Sequence, residues 1–434
     1  MHQRGLNTTN RRHRDLESRA KHMDMAHFSK ILSTPVYGEI DVRPYSDDVD
    51  APSVEKKIEP IPKRIVENRS CSTKLSFAVF ESLDELVPLT DQIDLLASCP
   101  FLKTSWMFSW IKTYCDSNCK LHFVLARNDN QEVVGFAPLV LLNSLKRGRY
   151  FAFVGSGKAC SDYMTFPAQS DYRSEFIQGM AEWLTSYKGW DRIELDGGRS
   201  DDENINEFSQ EMKKRACKIE EISTLSSWRM NLPESWEDLL SGFSKNYRKK
   251  YRRLERKLEG KTELHRAIDG DSLKEGLAIL EQLHTKRWES LGGGGCFSHP
   301  GFRDFLKELA WEKLDSDALS LIWLTYEGTP VAADIAYYGD GDDVVYTYQG
   351  GISPDHLHLE PGRAILKCQI ELAIEKGAKF VDFLRGDEPY KARFNTFEIK
   401  NSRFEIVNPS IRAKCVHLML NFCRMAKSFV PKSR

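Results

Sequence analysis

The sequence predicts an α/β fold, α+β in its mixed sheets flanked by helices, laid out as two tandem copies of one unit. Two observations carry this expectation. A single order of elements (strand, hairpin partner, strand, loop, helix, strand) occurs twice, about two hundred residues apart. The matching segments also align by eye: VLARNDNQEVVGFAPL (124–139) beside IWLTYEGTPVAADIAY (322–337), and WDRIELDGG (190–198) beside AKFVDFLRG (378–386). A chain of 434 residues is, besides, too long for one ordinary core.

Residues 1–72 are polar, charged and proline-dotted, which predicts disorder, with a short helix near Met23–Leu32. Order is expected to begin near Leu75. Helices are expected over 82–99 and over 105–115, where Trp106 and Trp110 share a face. The first unit, 73–232, places strands at 121–128, 132–142 and 149–157, a helix at 172–187 and a strand at 189–198. The second unit, 233–405, opens with a helical segment, 235–292. There GFSKNYRKKYRRLERKLEGK (242–261) sets Tyr247, Tyr251, Leu254 and Leu258 at helical spacing, and a second helix runs to the break GGGG at 292–295. Strands at 319–326, 331–340 and 343–351, a helix at 361–376 and a strand at 378–387 complete it. Residues 406–434 read as a basic amphipathic helix that docks on the body or lies on a membrane surface.

Composition narrows the function classes. Hydrophobic residues make up 41% and charged residues 29%, as in a soluble globular protein, and a net charge of −1 gives no global field for nucleic acid, DNA included, or an anionic membrane, which leaves only a local basic patch. The N-terminus lacks the apolar core of a secretory signal, and no run of about 18 apolar residues predicts a membrane span. Of ten cysteines only Cys115 and Cys119 lie close together, so no zinc-ligand set is expected. Scattered thiols in a chain this long fit a reducing cytoplasm. Neither a GxGxxG nor a Walker pattern is present.

Four stretches hold chemistry-bearing residues. In SPDHLHLEPGRAIL (353–366), Pro361 suits a first helical turn, Gly362 admits close approach to the backbone, and helix N-terminal amides attract a pyrophosphate. An ordinary helix start has the same residues. In DFLRGDEPYKARF (382–394), strand alternation sets Asp382 on the face of Phe380 and Leu384, where it needs a partner or a raised pKa. Arg385 and Lys391 are the partners expected from sequence distance. Either an internal salt bridge or a ligand site at a strand's carboxyl end fits. Asp334 is a lone carboxylate in the apolar strand VAADIAYY, a candidate base or a group paired with a neighbouring strand. Tyr346 and Tyr348 are candidates for the same cleft. In GSGKACSDYMTF (155–166), Ser161, Asp162 and Tyr163 follow a strand in a loop suited to binding, and Arg248 lies in a basic run that fits phosphates or solvent.

Taken together, GSGKACSDY, SKNYRKKYRR, PVAADIAYYGD, YTYQGGISPDH, PGRAIL and DFLRGDEPYKARF resemble the GNAT-type acyltransferases of the CelD-like group, associated with cellulose biosynthesis and related to the Fem peptidyltransferases. The resemblance covers about 76–400 and implies two tandem GNAT-like units. It implies acyl-CoA as donor, with Pro361, Gly362, Arg363 and Ala364 as the counterpart of the pyrophosphate loop, and no metal. Lys391 takes the position of a lysine near the transferred group, and the first unit serves the acceptor, an amine or hydroxyl of an envelope, polysaccharide or small molecule. On that basis Asp382 or Asp334 is the base, Tyr390 the acid and Lys391 the electrostatic stabiliser. Ser161, Asp162, Tyr163, Arg248, Tyr348 and Arg385 become substrate-binding candidates. An aminoacyl-tRNA donor, bound through the basic helix, and a non-catalytic accessory role in polysaccharide synthesis remain the competing expectations.

Overall fold

The computed structural model describes residues 75–144, 147–316, 318–339, 343–388 and 390–428. The expected disorder of 1–72 and the helix near Met23–Leu32 lie outside these residues. Two seven-stranded mixed sheets form, in the orders β1-β2-β3-β4-β5-β14-β6 and β13-β7-β12-β11-β10-β9-β8. The first sheet holds β1 (Ser76–Phe80), β2 (Cys119–Arg127), β3 (Val133–Ser144), β4 (Gly148–Phe153), β5 (Arg192–Arg199), β6 (Lys218–Ser223) and β14 (Asn401–Val407). The second holds β7 (Ser227–Asn231), β8 (Thr262–Arg266), β9 (Leu319–Tyr326), β10 (Thr329–Tyr338), β11 (Val344–Ile352), β12 (Phe380–Arg385) and β13 (Phe397–Ile399). In each sheet an antiparallel run ends in one parallel pair, β4 with β5 and β11 with β12. The repeat read from the sequence is therefore a repeat of topology.

Two strands cross between the sheets. β7 precedes residue 232 yet pairs with β12 and β13, and β14 leaves the second sheet to pair with β5 and β6. One residue, Lys400, separates β13 from β14. The helix expected over 82–99 is broken into short turns, since Pro88 has no N–H to donate and starts a new 3₁₀ turn with its neighbours. The remaining helices of use below are α1 (Thr104–Tyr114), α2 (Arg173–Ser186), α3 (Glu203–Lys214), α4 (Trp236–Ser241), α5 (Lys245–Leu258), α6 (Gly270–Ser290), α7 (Phe302–Lys313), α8 (Pro361–Glu375) and α9 (Ile411–Ser428).

The second sheet separates two cores. Alternation sends Ala333, Ile335, Tyr337, Tyr346 and Tyr348 to one face, where they pack with Trp106 and Phe101 of the first unit. It sends Ala332, Ala336, Val345, Val381 and Phe383 to the other, against Tyr251 of α5 and Ile365 and Ile370 of α8. Burying such side chains stabilises each face by about 1.5–3 kcal/mol apiece relative to exposure. One face is thus the seam between units; the other is an outer layer roofed by the basic helix.

Candidate active site

A cavity of about 340 Å³ opens on the outer face of the second sheet. Its floor is β10 and β11, with Asp334, Thr347 and Gln349; its walls come from α6, the start of α8 and the turn after β12. Asp334 shares the face of Ala332 and Ala336, one residue before a bulge at Ile335/Ala336. Bulges re-aim side chains beside functional sites. Asp334 Oδ2 is shut from solvent with no hydrogen-bond partner, and burial alone pushes the carboxyl up to about 7. Opposite it in the ladder is Gly350, where a Cβ would lie only 3.3 Å from Asp334 Oδ1.

Tyr390 lines the same cavity. Burial, then the charges of Glu388 and Asp334, raise its phenol pKa far above the ordinary value, so it stays protonated. Glu388 is also on the wall; burial raises its pKa, against the pull of Lys391. His284 and Arg287 of α6 face in from the other side. His284 is buried, its Nε2 lies 3.3 Å from Cys296 Sγ, and burial holds its pKa near 4.

At the mouth stands the start of α8. Pro361, Gly362 and Arg363 line the cavity, while Ala364 is buried behind them. A Cβ at Gly362 would meet only Ile352 Cγ2 at 3.6 Å, so the first turn is open to a bound group. Arg363 lies over the rings of Tyr247 and Tyr251, 5.5 and 5.7 Å from their centroids, and pairs with Glu360. From α5, Arg253 reaches Glu360 at 3.4 Å and Lys257 donates to the carbonyl of His358. Pro361 has no N–H and the Arg363 and Ala364 amides already donate to the Glu360 carbonyl at 3.0 and 3.2 Å, so the Gly362 amide and the nearby cations are what this helix start offers a diphosphate.

The other sequence candidates lie elsewhere. Asp382 is fully buried on the seam face, where it accepts from Arg229 Nε at 2.8 Å, Tyr163 Oη at 2.6 Å and the Leu384 amide at 2.8 Å. Its expected partners are otherwise engaged. Arg385 pairs with Asp162 and donates to the carbonyl of Ser161 at 3.0 Å. Lys391 is buried, pairs with Glu388 at 2.8 Å and donates to the carbonyls of Leu384, Arg385 and Gly386 at 3.0–3.2 Å. Asp382 and Lys391 thus hold the strand exit, in which Leu384 takes the left-handed backbone (φ 56°). Tyr348 faces the seam and donates to the carbonyl of Ala159 at 2.7 Å, rather than sharing the cleft of Asp334. Ser161 accepts from Trp106 Nε1 at 2.8 Å, and Arg248 donates to the carbonyls of Ser241 and Phe243 at 2.9 and 2.6 Å. Of the residues named from sequence, Asp334, Tyr390, Pro361, Gly362 and Arg363 meet at one cavity.

Sequence reading passed over His284, Arg287, Gln349 and Glu388 as wall residues. Only Glu388 had a local signal, its place in DFLRGDEPYKARF; the others arrive by packing of α6 on β11. Elsewhere, ligand atoms of Glu220, Glu405 and His417 lie within 4.8 Å of one another. Lys218 Nζ stands 3.3 Å from His417 Nε2 and Arg403 3.2 Å from Glu405, so cations already answer those carboxylates. Among the described residues no helix is long and apolar enough to cross a membrane.

Residues 243–392 match the family model of the acetyltransferase (GNAT) domain. The match spans α5 through the strand exit and contains all of the cavity lining except Arg393 and Phe394. The fold is similar to the crystal structure of FemX, at 14% identity and a TM-score of 0.55, over 74% of this chain and 96% of that one. A conserved protein of unknown function from Bacteroides thetaiotaomicron VPI-5482 aligns at 12% identity and a TM-score of 0.48, over 77% and 100%. No curated protein matches the chain. The fold is that of two tandem GNAT-like units, and the family match falls within the second sheet's half of the chain.

Proposed function

We propose that the chain is an acyltransferase whose second unit moves an acyl group from acyl-CoA, the donor substrate, directly to an acceptor amine or hydroxyl. One observation carries this reading: an unpartnered carboxylate, Asp334, held near neutral pKa on the floor of a cavity whose mouth is an open helix start. A base is most effective with a pKa near the working pH. Asp334 takes the proton of the acceptor as its nitrogen or oxygen bonds to the acyl carbon. Tyr390 gives its proton to the sulfur as the carbon–sulfur bond breaks, and the proton on Asp334 returns to the phenolate. Pro361, Gly362 and Arg363 hold the diphosphate, with Arg253 and Lys257 beside them. Asp382 and Lys391 act as positioning residues that fix the segment carrying Glu388 and Tyr390. The acceptor belongs to an envelope, polysaccharide or small-molecule class, in line with the likeness to the CelD-like group, and the cytoplasm supplies the donor.

Thermal-shift titration tests the donor. Acetyl-CoA or a longer acyl-CoA should raise the melting midpoint with concentration. Stabilisation by tRNA alone, lost steeply with salt, would instead favour an aminoacyl-tRNA donor bound along α5. No stabilisation by any donor would leave an accessory role without chemistry.

A further inference from the structure

The C-terminal helix α9 presents a surface that acyl transfer does not use. Ala413 and His417 are buried against the first unit, and Val416 packs at Gly148. Arg412 pairs with Asp191 at 2.9 Å and His417 with Glu220 at 3.2 Å. The opposite side is apolar and open. Ile411 is 82% exposed, Leu418 67%, Met419 50% and Phe422 73%, with exposed Cys415 among them. At 3.6 residues per turn these five fall in one stripe about 100° wide. Among the described residues no other helix or strand carries more than one exposed large hydrophobic side chain. Scattered exposed apolar residues are normal; a contiguous stripe signals a partner.

Charge identifies the partner. Arg412 and Lys414 border the stripe on its two sides, and Arg424, Lys427, Lys432 and Arg434 follow in sequence. From 411 to 434 there is no Asp or Glu. A second copy docked by a two-fold axis would set these cations against themselves. Residues 1–74 carry 14 Lys and Arg against 11 Asp and Glu, so as a whole they share the sign of the stripe's borders, with five of the acidic residues gathered in 39–50. We propose that α9 lies on an anionic lipid surface, its stripe among the acyl chains and its basic borders at the headgroup phosphates. A helix with this division lies in the plane of the interface rather than spanning the bilayer.

Vesicle co-sedimentation of the full chain tests this, with equimolar phosphatidylcholine and phosphatidylglycerol in one arm and phosphatidylcholine alone in the other. The chain should sediment with the anionic vesicles, and less so as salt rises. The double variant Leu418→Ser/Phe422→Ser should bind about tenfold more weakly or less, with its melting midpoint unchanged because both side chains are exposed. Lys414→Gln should weaken binding to anionic vesicles alone. Equal binding to both vesicle types, or to neither, overturns the proposal. So does a dimer in sedimentation equilibrium that the double variant disperses, which would give the stripe to a second copy.

Discussion

Asp334 and Asp382 lie two strands apart in one sheet, on opposite faces; Asp382 is fully buried, whereas Asp334 is half-buried at the cavity floor with its Oδ2 shut from solvent. Asp382 receives hydrogen bonds from Arg229, Tyr163 and the Leu384 amide. Asp334 Oδ2 receives none, and its carboxyl rises to about 7. The sequence context is similar, an aspartate in an apolar strand. The difference lies in the donors across each face, and it divides the labour. A saturated carboxylate ties the two units together, whereas an unsatisfied one is left able to take a proton.

The largest effect should come from removing the free carboxylate. Asp334→Asn is expected to lower kcat about 10²–10⁴-fold with donor binding retained, the range that a general base supplies. In the parent enzyme kcat/KM should rise with pH through about 7, because the ionised form is the base. Stability should run the other way. In the unfolded chain this carboxyl ionises near its ordinary 3.8, so between there and 7 the folded protein holds the extra proton. Folding stability contributed by that proton is present at low pH and is lost as pH rises through the window. Asn carries no such penalty, so the variant's melting midpoint should gain on the parent's from pH 5 to pH 8. A flat difference would remove Asp334 as the titrating group.

The seam should respond in stability. Arg229→Ala strands a buried carboxylate and is expected to cost about 3–5 kcal/mol in urea unfolding. If it changed kcat as much as Asp334→Asn while leaving stability intact, the roles of the two aspartates would be reversed. Tyr390→Phe comes next. It removes the proton donor but keeps the ring, so a loss of about 10–10²-fold in kcat is expected, smallest for donors whose leaving thiolate needs least help. Single-turnover rates with activated thioesters check it.

Much of this division was legible. The duplicated order of elements anticipated two sheets of like topology, period-two alternation placed Asp382 with Phe380 and Leu384, and the apolar strand VAADIAYY marked Asp334 as a lone carboxylate. What alternation does not reveal is what covers each face. Tyr348 and Asp334 belong to adjacent strands yet face opposite cores, and a bulge at Ile335/Ala336 shifts the register between them. The ion pairs were also hidden, because they join residues far apart in sequence. Arg385 meets Asp162 and Asp382 meets Arg229, whereas proximity in the chain suggested pairing among Asp382, Arg385 and Lys391. Nor did the sequence show that β7 and β14 change sheets, since a short strand carries no mark of its partner.

A third carboxylate sharpens the comparison at the mouth. Glu360 caps the start of α8 in the left-handed backbone (φ 54°) and holds both Arg363 and Arg253. Like Asp382 it has cations for partners, but like Asp334 it lines the cavity. An incoming diphosphate competes for those same arginines and reaches the Gly362 amide, and it must do so against a negative charge already in place. Removing that charge while keeping the side chain's shape should therefore favour the donor. Glu360→Gln is expected to tighten acyl-CoA binding about two- to fivefold, with kcat little changed, since electrostatics at a partly exposed helix start contribute about 0.3–1 kcal/mol. The gain should shrink as salt rises. Weaker binding in the variant would mean that Glu360 orients the arginines more than it opposes the phosphates, and the mouth would then resemble the seam, a place where a carboxylate serves geometry.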